Sequence, residues 1–211
     1  MLQNLLDNCS ALLIEQVCPL CRRAVTTHGA GRQLCPACRE RLALPEGGCH
    51  GGAPLPWWSL GDYSDAYRLC LLRLKRSRSD RILAALLNAL HPLLPNRKNA
   101  WLEPIPSWKR HHANPLPAQM AAGLGRVKPH LLRRTRAGIG QHHLNRRQRL
   151  VSLDGAFQSP PSQGSLELWL VEDILTTGAT ALAAQAALTS AGHRVHGVIC
   201  LARTPAGCTG R

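Results

Sequence analysis

The segment Leu166-Glu-Leu-Trp-Leu-Val-Glu-Asp-Ile-Leu-Thr-Thr-Gly-Ala-Thr-Ala-Leu-Ala-Ala-Gln-Ala-Ala-Leu-Thr-Ser-Ala-Gly192 leaves few folds open to the chain. It reads as a short apolar strand, two adjacent carboxylates, a Thr/Gly loop and an alanine-rich helix. A strand this apolar is buried on both faces, as in a parallel sheet. The loop that follows then lies at the carboxyl edge of the sheet, where open α/β folds bind ligands. Thr176, Thr177, Gly178, Ala179 and Thr180 bring small side chains and hydroxyls to the start of the helix. Unsatisfied N–H groups and the positive end of the helix dipole make that start a seat for phosphate. Glu172 and Asp173, just ahead of it, suit ribose hydroxyls or a hydrated metal ion. The plain alternative is a strand, turn and helix with a threonine cap. Two carboxylates followed by Thr-Thr-Gly-Ala-Thr favour the phosphate seat over it.

Two Cys-x-x-Cys pairs, Cys18-Pro-Leu-Cys21 and Cys35-Pro-Ala-Cys38, are the second strong constraint. Each pair puts two thiolates on one side of a tight knuckle, and two knuckles close a tetrahedral zinc site. The loop between them, with Gly29 and Gly31, is polar and turn-rich. All four positions are filled by protein, so the zinc is structural. Cys49, beside His50, is a spare ligand at most, and Cys9, Cys70 and Cys200 read as small core residues. The opening stretch Met1–Ile14 carries Leu2, Leu5, Leu6, Leu12 and Leu13 at amphipathic helical spacing. It lacks a basic start and contains Asp7, so it does not read as a secretory signal. No run is long enough to cross a bilayer. The expectation is a cytoplasmic protein whose thiols serve metal.

Charge points to the partner. The 211 residues carry a formal net charge of +14. From Arg68 to Arg149 there are 18 Lys/Arg against two acids, Asp80 and Glu103, with six histidines besides. Such an excess favours polyanions over neutral ligands. Aromatic residues are only 4%, so contacts to a nucleic acid would run through its backbone and not through stacked bases. A hydrophobic fraction of 45% is enough for a core and excludes wholesale disorder.

The chain divides by composition into an N-terminal helix and zinc ribbon (1–42), a Gly/Pro-rich linker (43–56) and a larger domain (57–211). Within the last, Trp57–Tyr63 reads as a strand and Tyr67–Lys75 as a helix. Arg81 to about Leu90 reads as a second helix, capped by Ser77-Arg-Ser-Asp80 and stopped near Pro92. Trp101–Pro106 is a strand and turn, residues 120–128 continue a short helix, and Leu131-Leu132 begin a strand. Gly192 caps the helix of the opening segment, and Arg194–Ala202 is a final strand. The strand–helix–strand order from 166 to 202 makes one right-handed parallel crossover.

Val171–Thr180 resembles the phosphoribosyl-pyrophosphate loop of type I phosphoribosyltransferases, with Glu172 in place of the more usual first Asp. Over about residues 16–203 the chain resembles one branch of them, the ComF/GntX family. Besides the Cys pairs, the match includes Leu74-Lys75 and the Glu-Pro-Ile-Pro106 turn. It extends to Lys109, Arg110 and Gln119, and to Gln141, Leu144, Arg149, Gly155, Ala156 and Phe157. The chain departs from the pattern at Asn114, Pro115, Leu116 and Ala118, in the stretch where the family has Arg-Gly-Phe-Asn-Gln, so that its glycine is lost, and at Ser152, where the family has Asn.

The resemblance implies an α/β fold: a type I phosphoribosyltransferase-like parallel sheet with flanking helices, preceded by a small N-terminal zinc ribbon of four cysteines. Glu172 and Asp173 would hold the ribose hydroxyls, and Thr176 to Thr180 the 5′-phosphate. It implies a cytoplasmic protein of DNA uptake or utilisation in natural transformation. Single-stranded DNA would meet basic residues including Lys75, Lys109, Arg110, Arg146, Arg147 and Arg149. The competence helicase and other transformation proteins would be partners, and would supply ATP-driven work, since the chain has no Walker-type loop. The alternative is an active phosphoribosyltransferase using Mg²⁺ with phosphoribosyl pyrophosphate on an unidentified nucleobase. That reading needs a base pocket and a general base, for which only His111, His112, His142 and His143 offer themselves.

Overall fold

The computed structural model describes residues 17–25, 33–95, 99–107, 114–127, 131–135, 155–162 and 164–205. The N-terminal helix expected before Ile14 lies outside them, and Cys9 with it. Five helices are described: α1 (Pro36–Arg41), α2 (Asp65–Ser77), α3 (Asp80–Leu90), α4 (Leu116–Leu124) and α5 (Ala179–Ser190). The strands are β1 (Cys49–Gly51), β2 (Trp57–Asp62), β3 (Trp101–Pro104), β4 (Arg133–Arg134), β5 (Phe157–Gln158), β6 (Glu167–Leu175) and β7 (Arg194–Arg203). A five-stranded sheet has the order β1-β2-β7-β6-β3. All its neighbours are parallel except β1, which runs antiparallel to β2. β4 and β5 form a separate antiparallel pair.

The apolar run that marks β6 puts it and β7 in the interior, with Leu168, Leu170, Val171, Val198 and Ile199 wholly buried. Helices cover both faces, as such strands require. On one face α1 to α4 pack with Leu60, Trp169, Val171, Ile199 and Leu201. On the other, α5 and the β4–β5 pair pack with Leu168, Leu170, Val198 and Cys200. α2 offers Tyr67, Cys70, Leu71 and Leu74 to the first core, and α3 offers Leu83, Leu86, Leu87 and Leu90. Both sets have the i, i+3, i+4, i+7 spacing of a single helical face. Tyr67 donates its hydroxyl to the Leu201 carbonyl at 2.9 Å, tying α2 to β7. α5 ends as its glycine foretells: Gly192 adopts φ +93, Gly192 N–H reaches Thr189 O, and His193 N–H reaches Leu188 O. These are the two bonds of a Schellman cap.

Four local expectations change. β6 does not stop before the carboxylates but runs through them to Leu175, because Ile174 and Leu175 continue the apolar run. α4 begins earlier than residues 120–128 suggest and ends at Leu124, where Gly125 turns away with φ +150. The strand after Leu131-Leu132 is confined to Arg133–Arg134. The Gly/Pro segment 43–56 is not a bare tether, since Cys49–Gly51 pairs with β2 as an edge strand. The Cys-rich region is also joined to the body: Cys18, Leu34, Cys35, Cys38, Leu42 and Leu44 share one core with Leu60 and Tyr67.

Candidate phosphate-binding site and metal centre

The Thr/Gly loop leaves the carboxyl end of β6 from a fixed point. The Leu175 carbonyl accepts from Arg203 Nη1 and from Thr204 N–H, each at 2.9 Å. Thr176 is exposed, Thr177 and Thr180 are half-buried, and Gly178 and Ala179 are buried. Gly178 starts the helix with φ +77, a left-handed angle that favours glycine. A Cβ there would also stand 2.3 Å from Pro54 Cγ, so Pro54 of the Gly/Pro segment covers the loop. Thr177 Oγ1 accepts a long bond from Ala179 N–H at 3.4 Å. The first intrahelical bond runs from Leu182 N–H to Gly178 O at 2.9 Å. The N–H groups ahead of it are therefore not used by the helix and face the loop end.

The two carboxylates do not form a pair. Neighbours in a strand point to opposite faces, and here each has its own surroundings. Asp173 lies on the α2–α4 side. Its Oδ2 accepts from Lys75 Nζ at 2.6 Å and from Asn114 Nδ2 at 2.8 Å, and its Oδ1 accepts from Ile174 N–H at 2.9 Å. Glu172 is in register with Cys200 of the α5-side core. Burial pushes its carboxyl up to about 8, helped by the Asp173 charge and opposed by Lys75, Arg134 and Arg203. Arg134 and Arg203 lie over the rings of Phe157 and Trp57, at 5.0 and 5.6 Å. On the same side, Glu103 of β3 accepts from Leu132 N–H at 2.8 Å through Oε1. Its Oε2 has no partner among the described residues. Burial pushes this carboxyl up to about 7 against the backbone N–H groups of Leu132 and Leu131.

Asn114, Arg134, Arg203 and Pro54 are therefore parts of the site that the sequence reading passes over. Asn114 had a legible signal: Asn-Pro before a helix is a start signal, and its Oδ1 does accept from Leu116 N–H at 3.3 Å. The other three reach the site only through the tertiary fold. Of the basic residues expected to meet polyanions, Lys75 is half-exposed and bound to Asp173. Lys109, Arg110, Arg146, Arg147 and Arg149 lie outside the described residues, as do His111, His112, His142 and His143. Arg68, Arg73, Arg76, Arg78 and Arg81 are exposed on and between α2 and α3. A cleft of about 680 Å³ runs along the far side of α5, lined by Phe157, Ser159, Pro160, Ala183, Ala187 and Arg133 among others. It contains no residue of the loop and neither carboxylate.

The four paired cysteines come together as the spacing predicts. The Sγ atoms of Cys18, Cys21, Cys35 and Cys38 all lie within 4.8 Å of one another, with Cys21 and Cys35 at 3.6 Å. Tetrahedral zinc with thiolates at about 2.3 Å needs sulfurs about 3.8 Å apart, so the cluster could hold a metal such as zinc. The first knuckle closes through Cys18 N–H to Arg23 O and Arg22 N–H to Cys18 O. The second is the start of α1, with Cys35 at the N-cap position. Burial pushes the Cys18 thiol up, but backbone N–H groups of Cys35, Cys21 and Leu20 outweigh it and bring it down to about 6. Burial raises Cys35 and Cys38. Thiols this crowded ionise together only beside a cation. Cys49 stands apart from the cluster, and Cys70 and Cys200 are buried in the two cores.

The class is thus a mixed α/β protein with a mostly parallel sheet, a strand–loop–helix at its carboxyl edge and a four-cysteine cluster. No protein-family model matches the chain. It is 33% identical over 210 residues to the DNA utilization protein YhgH of Salmonella typhimurium, covering 89% of this chain and 90% of that one. The proteins of the same name in Escherichia coli O157:H7 and K12 are 31% and 30% identical over 217 residues, with the same coverage. The chain belongs to this family of DNA utilization proteins.

Proposed function

We propose that this chain is a ComF/GntX-type protein of DNA uptake and utilisation that binds single-stranded DNA and a phosphoribosyl group. The loop of Thr176, Thr177, Gly178, Ala179 and Thr180 is the seat for the sugar phosphate. The observation that carries the reading is this loop's construction: first-turn N–H groups left over by the helix, after a strand end whose acids lie near Lys75 of α2, Arg134 of β4 and Arg203 of β7. The name shared by the relatives supports the DNA role. Exposed arginines of α2 and α3, with the basic segments 109–110 and 146–149, would neutralise the strand's phosphates. Zinc in the four-cysteine cluster would be structural, and the protein would work in the cytoplasm beside the competence helicase and other transformation proteins.

The test is binding of a short oligothymidylate across a salt series. Binding should weaken steeply, with a log–log slope of about −0.7 for each phosphate neutralised. Salt-insensitive or absent binding would remove the DNA half of the proposal. Competition by phosphoribosyl pyrophosphate then shows whether the two ligands share the loop. Elemental analysis should find about one zinc per chain, and a folded metal-free preparation would remove the zinc site.

Active transfer to a nucleobase is the second reading, favoured by the acid–loop–helix order at the sheet edge. It requires phosphoribosyl pyrophosphate to be consumed with a base and Mg²⁺, and Asp173→Asn to abolish this. The commitment of Asp173 to Lys75 and Asn114 weighs against it.

A further inference from the structure

Type I phosphoribosyltransferase sites, by the resemblance above, work with Mg²⁺, and the residues here do not fit that ion. Mg²⁺ demands near-octahedral oxygen ligands at short range, and a carboxylate already paired with an ammonium repels a second cation. Three of the roughly four lone-pair sites of the Asp173 carboxylate are engaged, on Oδ2 by the Lys75 ammonium at 2.6 Å and the Asn114 amide at 2.8 Å, on Oδ1 by Ile174 N–H at 2.9 Å, which leaves room for a ligand hydroxyl beside a cation already in place. Glu172 cannot join it, because the strand turns that side chain to the Cys200 face. The Lys75 ammonium already supplies a positive charge at Oδ2. It comes from α2, whose Tyr67 hydroxyl is fastened to β7 and whose Leu71 and Leu74 are buried. Its side chain is still 32% exposed, so it can meet a ligand arriving from solvent.

We infer that the loop takes a sugar phosphate without a divalent cation, the Lys75 ammonium supplying the positive charge beside Asp173. The inference rests on the phosphoribosyl reading and adds to it a built-in counter-ion. Lys75 is in this sense a positioning residue: it holds Asp173 in place for hydroxyls and screens its charge from the incoming phosphate.

Ribose 5-phosphate is the probe, because it lacks the pyrophosphate that would itself gather magnesium. Titration calorimetry would compare a buffer freed of divalent ions over chelating resin with the same buffer plus magnesium. The protein's zinc content is measured before and after, so that loss of metal from the cysteine cluster is not mistaken for an effect at the loop. The expected result is one Kd in both buffers, within about twofold. Lys75→Met should weaken binding by roughly tenfold or more, as loss of a charge-assisted contact does, and make the remainder depend on magnesium. Lys75→Arg should bind in both buffers. Wild-type binding seen only with magnesium overturns the inference and leaves the phosphoribosyl seat intact. No binding in either buffer overturns both. Unchanged binding by a folded Lys75→Met removes the role of Lys75.

Discussion

Glu172 and Asp173 are adjacent in sequence and meet the problem of a carboxylate in a protein interior in opposite ways. On the α2–α4 side, Asp173 is matched by an ammonium, an amide and a backbone N–H. On the α5 side, Glu172 keeps its proton through neutral pH, its carboxyl pushed up to about 8 by burial and by the Asp173 charge. The first solution fixes a geometry, since three donors define where the oxygens lie. The second removes a charge and leaves a neutral group that can donate or accept. At neutral pH the floor of the loop therefore carries no uncompensated negative charge, which suits an anionic ligand.

The largest effect expected from this contrast is on pH. Glu103 and Glu172 hold protons in the folded protein up to about 7 and about 8. The unfolded chain gives up the same protons near the ordinary value of about 4.3. Folding is favoured fully below that value and loses ground as pH rises through 7 and 8, by roughly 3 kcal/mol or more in all. Urea unfolding of the zinc-saturated protein from pH 6 upward measures this, and a stability that rises with pH would contradict it. Glu103→Gln should lessen the slope up to about 7, and Glu172→Gln should lessen it there and remove it between about 7 and about 8.

A smaller effect separates the two acids directly. Lys75→Met leaves Asp173 with only Asn114 and Ile174 to meet it. The cost should be roughly 2 kcal/mol, reduced from the value for a fully buried pair because Lys75 is partly exposed. Glu172→Gln at neutral pH replaces an already neutral group and should cost less than about 1 kcal/mol. Denaturation midpoints at equal slope report both, and equal costs would end the distinction between the two solutions. Asn114→Ala, which removes one donor from an acid that keeps its ammonium, should fall between the two at roughly 1 kcal/mol.

How far the sequence disclosed this site depends on the distance over which each feature is determined. The strand, the Thr/Gly turn and the helix cap are local and were legible in Leu166–Gly192. The four-cysteine cluster was legible as well, because two Cys-x-x-Cys knuckles have few other ways to satisfy four thiols. The opposed facing of Glu172 and Asp173 was available in principle: Ile174 and Leu175 extend the strand, and alternation follows. Reading the acids as the end of the strand concealed it. Lys75 stands far from Asp173 in sequence, and nothing local couples them. Pro54 over Gly178 is of the same kind, since a segment rich in glycine and proline advertises a turn but not what it will cover.

The core shared by the cysteine knuckles and the sheet bears on how the molecule can be dissected. A fragment beginning at residue 57 would strip β2 of its antiparallel neighbour, lay bare the surface around Leu60 and Tyr67, and lift Pro54 from the loop. The complementary fragment would keep its thiols but expose Leu34, Leu42 and Leu44. Either cut opens part of one shared core, so loss of metal from the cysteine cluster and unfolding of the sheet should appear in the same cooperative transition.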